Sequence, residues 1–112
     1  MPPETVTREI LHDHRLPAPL PTGHVEIRRI TMRPGTAAGR HTHNGPVFGS
    51  IERGAVVFQI EDGPEVTLHA GDTFYEPAET VISRFDATEE GAVFLGYFLL
   101  PDDQAAALTL LN

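Results

Sequence analysis

The fold is decided by the stretch Gly35-Thr-Ala-Ala-Gly-Arg-His41-Thr-His43-Asn-Gly-Pro-Val47-Phe-Gly-Ser-Ile-Glu-Arg-Gly54. Within it, a single residue separates His41 from His43. Side chains alternate between the two faces of an extended strand, so both imidazoles lie on one face and Thr42 lies on the other. The two rings can therefore converge on one ion or ligand.

The spacing of this stretch resembles the first motif of the cupins, which reads Gly, five residues, His-x-His, three residues, Glu, six residues and Gly. Gly35, His41, His43 and Gly54 stand at the matching positions. The glutamate position holds Val47 instead. The stretch keeps the spacing of the motif without its carboxylate.

A later stretch resembles the second cupin motif, which reads Gly, five residues, Pro-x-Gly, two residues and His. Gly71 and Pro77 match, whereas Glu79 replaces the glycine and Ile82 replaces the histidine. The resemblance is strongest over residues 35–85, where both motifs agree in spacing and order. It implies an all-β fold, a single cupin (jelly-roll) β-barrel.

The rest of the chain fits a single cupin domain over residues 1–112. Short apolar and β-branched runs alternate with Gly, Pro and Asp turns, which is typical of a sandwich or barrel. We expect an N-terminal strand near residues 6–11 and a proline-rich connector within residues 1–24, the barrel over 25–100 and a tail over 101–112. His12 and His14 adjoin the connector and are expected at the surface. Pro101-Asp102-Asp103 predicts a short helix in the tail.

Composition disfavours several kinds of partner. The 112 residues carry 16 Asp and Glu against 8 Lys and Arg, a formal net charge of −8. This acidity disfavours nucleic acid and anionic membranes as partners. Cysteine is absent, so there is neither a disulfide nor a thiolate ligand. No apolar run is long enough to span a bilayer, and the opening residues do not resemble a signal peptide, so we expect a cytoplasmic protein.

The resemblance implies a metal centre that this chain only partly retains. In the cupins, the two histidines and glutamate of the first motif and the histidine of the second surround one divalent metal. His41 and His43 alone would bind a metal weakly, so no cofactor is favoured. A divalent metal (Fe, Mn, Zn or Ni) is the alternative, held by His41, His43 and Glu76, with Asp86 as the next carboxylate. The favoured interpretation of both carboxylates is an ordinary solvated position.

Without those ligands the barrel lumen becomes a mainly apolar pocket. We assign His41, His43 and Arg84 as its catalytic residues, because a neutral histidine in apolar surroundings can act as a base or donor near neutral pH. Arg84 shares strand parity with Ile82, although a salt bridge on the barrel rim is an equal alternative. The predicted substrate-binding residues are Val47, Phe48, Phe74, Tyr75, Ile82 and Tyr97.

Three functions agree with these features. The first is a metal-independent isomerase, cyclase or lyase that acts on a mainly apolar small molecule. Analogy with cupin-like cyclases suggests a molecule of specialised metabolism. The second is a metal-dependent dioxygenase or isomerase that uses His41 and His43, and the third is a barrel that binds a small molecule without chemistry. We favour the first slightly. A homodimer is expected, because a small barrel cannot easily bury the N-terminal strand and the leucine-bearing tail alone.

Overall fold

The computed structural model of the protein describes residues 5–111 and shows a jelly-roll fold of seven β-strands. All seven belong to one sheet, and their pairings are antiparallel. The all-β prediction is confirmed. The strands are β1 (His24–Met32), β2 (His41–His43), β3 (Val47–Ile60), β4 (Val66–His69), β5 (Thr73–Glu76), β6 (Ile82–Leu100) and β7 (Leu108–Leu110).

Two long strands form the centre of the sheet. β3 and β6 pair along most of their lengths, from Val47 opposite Phe98 to Ile60 opposite Ile82. β1 lies along the C-terminal half of β6, while β5 and β4 pair with the first and second halves of β3. The strand that carries the two histidines, β2, lies between β6 and β7.

Alternation along the long strands fills the lumen with apolar side chains. In the second half of β6, even-numbered positions such as Phe94 and Phe98 are buried, while the odd-numbered ones are partly exposed. The rings of Phe74, Phe85 and Phe94 lie 4.7–6.0 Å apart between centroids in tilted and edge-to-face contacts. Such pairs add about 0.5–1.5 kcal/mol beyond the area that they bury.

The N-terminal segment, residues 5–23, is an extended arm rather than a strand. The strand predicted near residues 6–11 is wrong, because this segment pairs with none of the strands and its apolar side chains stay exposed. Farther along, the His14 ring packs on Tyr75 with centroids 4.2 Å apart. His12 and His14 are both exposed, as predicted.

The C-terminal tail contains a strand where a helix was predicted. A turn over residues 101–104 is closed by the hydrogen bond from Gln104 N to the Pro101 carbonyl oxygen (3.1 Å). β7 then pairs with β2, with Thr109 opposite Thr42. The sheet edge at β2 offers backbone partners that an isolated helix would not supply, so the tail completes the sheet. Residues 5–111 hold no helix with the length and apolarity that a membrane span requires.

Candidate metal-binding site

Strand β2 directs both of its histidines into the lumen. His41 is 3% exposed and the side chain of His43 is 11% exposed. Their rings lie 4.9 Å apart between centroids, with planes at 85°. The expected convergence of the two imidazoles is confirmed.

Glu76 joins them from the neighbouring part of the barrel. It lies on β5 directly opposite Val47 on β3, and paired residues on adjacent strands point to the same face. Glu76 is 3% exposed, and its Oε1 lies 3.1 Å from His43 Nε2. The favoured interpretation of Glu76 as a solvated residue is therefore wrong, and the alternative ligand set is brought together.

The geometry of these three side chains fits a divalent transition metal. Their ligand atoms lie within 4.8 Å of one another. Glu76 Oε2 is buried and has no hydrogen-bond partner among the described residues, a costly arrangement for a carboxylate. His41 Nδ1 lies 2.7 Å from the Gly39 carbonyl oxygen, and donation of its proton there leaves the Nε2 lone pair for a ligand. Two imidazoles and one carboxylate suit iron and its first-row neighbours.

A mainly apolar cavity of about 180 Å³ adjoins the three residues. Val47 and Phe74, both predicted to contact substrate, line it. Ile82 is fully buried in the core behind the wall and does not line the cavity. The remaining apolar lining residues are Ile30, Met32, Ala38, Phe85, Phe94, Phe98 and Leu108.

Besides Ile82, three predicted substrate-binding residues lie outside this cavity: Phe48, Tyr75 and Tyr97. Phe48 and Tyr75 occupy the positions next to Val47 and Glu76, so strand alternation turns them to the outer face of the barrel. There the two rings stack with centroids 4.8 Å apart. Tyr97 lies opposite Phe48 and lines the same outer groove. The structure does not bring these aromatic residues to the histidines.

Arg84 also lies outside the cavity, because a β-bulge changes the parity of β6. Ile60 pairs with Ile82 but Gln59 pairs with Arg84, which leaves Ser83 as an extra residue. Arg84 therefore points outward although Ile82 points inward. Its hydrogen bonds to Asp86 (2.8 Å) and Glu65 (3.1 Å) raise the pKa of the guanidinium. The rim salt bridge was the correct alternative, and it also explains why Asp86 is not near the histidines.

Sequence reasoning missed most of the cavity wall. Ile30 and Met32 share one face of β1, and Phe94 and Phe98 share one face of β6, so alternation in these strands was the available signal. Leu108 was missed for a different reason. Its segment was expected to be helical, and only the pairing of β7 with β2 brings it to the cavity.

Solved structures similar to this chain support the fold. DMSP lyases align with a TM-score of 0.69 at 18% identity, covering 81% of this chain and 46% of theirs. Bacillus subtilis oxalate decarboxylase, studied for its Mn(II) centres, aligns with a TM-score of 0.64 at 24% identity, covering 71% of this chain and 22% of its own. A protein with a double-stranded β-helix domain from Klebsiella pneumoniae gives a TM-score of 0.63 at 19% identity, covering 82% of this chain and 80% of its own. The chain spans less than half the length of the lyase and the decarboxylase.

Comparison of sequences gives a family. The curated proteins include no match to this chain. The family described as the cupin domain matches residues 28–95, which is more than half of the sequence. That range contains both motifs, the histidine strand and Glu76. This chain belongs to the cupin domain family.

Proposed function

We propose that this protein is a metal-dependent enzyme whose small, mainly apolar substrate reacts in the barrel cavity. The observation that carries the proposal is that the ligand atoms of His41, His43 and Glu76 lie close together in the barrel. Glu76 Oε2 is buried there without a hydrogen-bond partner among the described residues. A catalytic ligand set leaves coordination positions open for substrate, and three protein ligands satisfy that condition. The Mn(II) centres of the decarboxylase of the same fold agree with this choice.

Fe, Mn, Zn or Ni bound here would act as a Lewis acid and would orient substrate at its open positions. The protein residues supply the rest. The Gly39 carbonyl oxygen fixes the tautomer of His41, while Glu76 Oε1 lies 3.1 Å from His43 Nε2, close enough for both atoms to bind one ion. The aromatic and aliphatic walls exclude water, which strengthens every electrostatic interaction inside.

The cavity limits the size and polarity of the substrate. Its volume of about 180 Å³ is close to that of an engineered apolar cavity of roughly 150 Å³ that binds benzene. None of the described residues that line it is an arginine or lysine. We therefore propose that the part of the substrate packed against the apolar walls is uncharged and about the size of one ring, while a polar or anionic group of the substrate would face the metal.

A metal-independent isomerase, cyclase or lyase is the second candidate, and one observation favours it. His43 Nε2 and Glu76 Oε1 are 3.1 Å apart, the distance of a base held by a carboxylate. Such a pair can move a proton within a shaped cavity without a cofactor. Metal content separates the two candidates.

The test is elemental analysis of untagged protein purified without chelator, followed by zinc titration against a chromogenic chelator. We expect near-stoichiometric metal in the natural protein and a loss of about 100-fold or more in affinity for Glu76→Gln. Glu79→Gln is the matched control, because Glu79 is exposed and lies in the same segment. A natural protein that neither contains nor takes up metal would contradict the proposal and favour the His43–Glu76 base.

A further inference from the structure

Residues 101–111, which follow β6, form a strap over the histidine strand. β2 pairs with β7 along its whole length, but it pairs with β6 only where His41 lies opposite Ile82. The amide of Leu111 also donates to the Arg40 carbonyl oxygen (2.8 Å). The strap therefore pairs with all three residues of the histidine strand, and the Glu79 amide adds a hydrogen bond to the His43 carbonyl oxygen (2.9 Å).

Asn44, the residue after His43, makes side-chain hydrogen bonds to the backbone of the strap. Its Nδ2 donates to the Ala105 carbonyl oxygen at 2.9 Å, and its Oδ1 accepts from Ala107 N at 3.0 Å. The backbone adds a bond from Asn44 N to the Ala107 carbonyl oxygen at 3.2 Å. The Asn44 side chain thus binds both a carbonyl oxygen and an amide group of the strap backbone.

The strap is also a wall of the cavity, and it is weakly packed. Leu108 lines the cavity, yet its side chain is 48% exposed, and Leu110 is 66% exposed. All of β7 is exposed. A segment with few buried apolar contacts and solvent-exposed backbone bonds opens at lower free energy than the core.

We propose that residues 101–111 are a movable wall that admits substrate, and that Asn44 is a positioning residue that couples closure of this wall to the placement of His43. With the strap closed, Leu108 completes the cavity and β2 is held on both sides. Opening the strap uncovers the cavity and frees the same strand. This coupling goes beyond the proposed function, since it applies whether or not the site binds a metal.

The first test is amide hydrogen exchange by NMR on the metal-free protein. Asn44→Ala should speed exchange at Ala107 by about tenfold, the effect of losing a hydrogen bond of typical strength. It should also broaden the ring signals of His43, while Val56 in the core of β3 exchanges at its former rate. Thr109→Val is the control, because Thr109 is exposed and its side chain makes no hydrogen bond among the described residues. Unchanged exchange at Ala107, or equal acceleration at Val56, would overturn the proposal.

The second test measures how a probe of suitable size reaches the cavity. Fluorobenzene binding to the metal-free protein is followed by ¹⁹F NMR. Asn44 holds the strap closed without contacting the ligand, so Asn44→Ala should raise both kon and koff severalfold and leave Kd nearly unchanged. Leu108 lines the cavity and would contact the ligand, so Leu108→Ala should change Kd. No binding of fluorobenzene, or values of kon and koff in Asn44→Ala equal to those of the natural protein, would contradict a movable wall.

Discussion

At the scale of single residues, the carboxylate of this site has an unusual origin. Val47 occupies the position at which the cupin motif places its glutamate, and Glu76 lies directly opposite Val47 on the paired strand. Adjacent strands are only about 4.8 Å apart. A carboxylate 29 positions away in sequence therefore reaches the same space as the one that is missing. The carboxylate ligand comes from β5 instead of β3, but it lies at the same place in the barrel.

Restoring the motif glutamate tests this geometry. Val47→Glu places two carboxylates opposite each other in a buried site, so the metal-free protein should lose stability because like charges repel there. A divalent ion should reverse the loss. Thermal unfolding with and without zinc should show a lower melting temperature and a larger zinc-induced increase than in the natural protein. Ser50→Glu, three residues farther along β3 on the outward parity and opposite the uncharged Thr73 and Leu95, should show no such increase. Equal behaviour of the two variants would contradict the placement of Glu76.

The hydrogen bond between the strap and Glu26 depends on pH. Its hydrogen bond from Arg28, and then that from the Ala106 amide, lower its pKa below the ordinary value of 4.5. Because the folded-state pKa is the lower one, this stabilisation is complete above pH 4.5 and is lost as the pH falls through the folded-state pKa. The Ala106 amide shift should titrate in that acid range, and Glu26→Gln should abolish the titration. Glu52→Gln, which affects the outward Glu52–Arg29 pair, should leave it intact.

At the scale of elements, the bulge at Ser83 decides which side chains of β6 reach the core. Before it Ile82 points inward, and after it Phe85 points inward while Arg84 points to the rim. The Ser83 hydroxyl donates to the Glu61 carbonyl oxygen (2.7 Å) and fixes the extra residue. A shift of one residue would exchange a buried ring for a guanidinium.

Deletion of Ser83 should cost little more than its substitution. Removing the extra residue joins Ile82 to Arg84 in a regular ladder in which Ile82 and Phe85 still point inward and Arg84 still points outward. Both the deletion and Ser83→Ala then lose mainly the hydrogen bond to Glu61, a cost of about 1 kcal/mol of unfolding free energy. Urea unfolding measures both. A deletion variant several kcal/mol less stable than Ser83→Ala would show that Ser83 is not the extra residue of the strand.

The same bulge explains why the direction of the Arg84 side chain could not be predicted from the sequence. Parity alone placed His41 and His43 correctly, because β2 is short and regular. It failed for Arg84, because an extra residue in one strand is defined only by the partner strand. The motif glycines could be identified since they serve the backbone: Gly54 has φ of 77°, and a Cβ there would collide with the Gly91 carbonyl.

Long-range pairing explains the other differences. Glu76 was named as a candidate ligand, but its burial follows from its place opposite Val47, which no local pattern specifies. The tail contains residues that suit a helix cap, and the choice between helix and strand was made by the free edge of β2. Fold class follows from local spacing, whereas the site depends on register between distant segments.

At the scale of the whole molecule, the unpaired edge of β1 is the surface best suited to a second copy. Within residues 5–111, β1 pairs only with β6. Val25 and Ile27 are 53% and 63% exposed on its outer face. The molecule is also less compact than usual, since its radius of gyration of 15.3 Å exceeds the roughly 13 Å expected for a domain of this length. We propose a homodimer formed through this edge.

Ile27→Asp should convert that dimer to a monomer, because a charge on an exposed strand edge opposes pairing with another edge. Sedimentation equilibrium gives the mass of each form. Val66→Asp is the matched control, since Val66 is 49% exposed on β4, away from β1. A natural protein that sediments as a monomer, or a dimer that persists in Ile27→Asp, would contradict the proposed interface.

The outer aromatic groove has a consequence for spectroscopy. The chain has two tyrosines and no tryptophan, and both Tyr75 and Tyr97 lie outside the cavity. Tyr75 is stacked between Phe48 and His14 of the arm. The intrinsic ultraviolet emission of the protein therefore reports whether the arm is docked. A ligand that fills the barrel contacts neither tyrosine and should leave this fluorescence unchanged. A screen based on quenching of tyrosine fluorescence would therefore miss a true substrate.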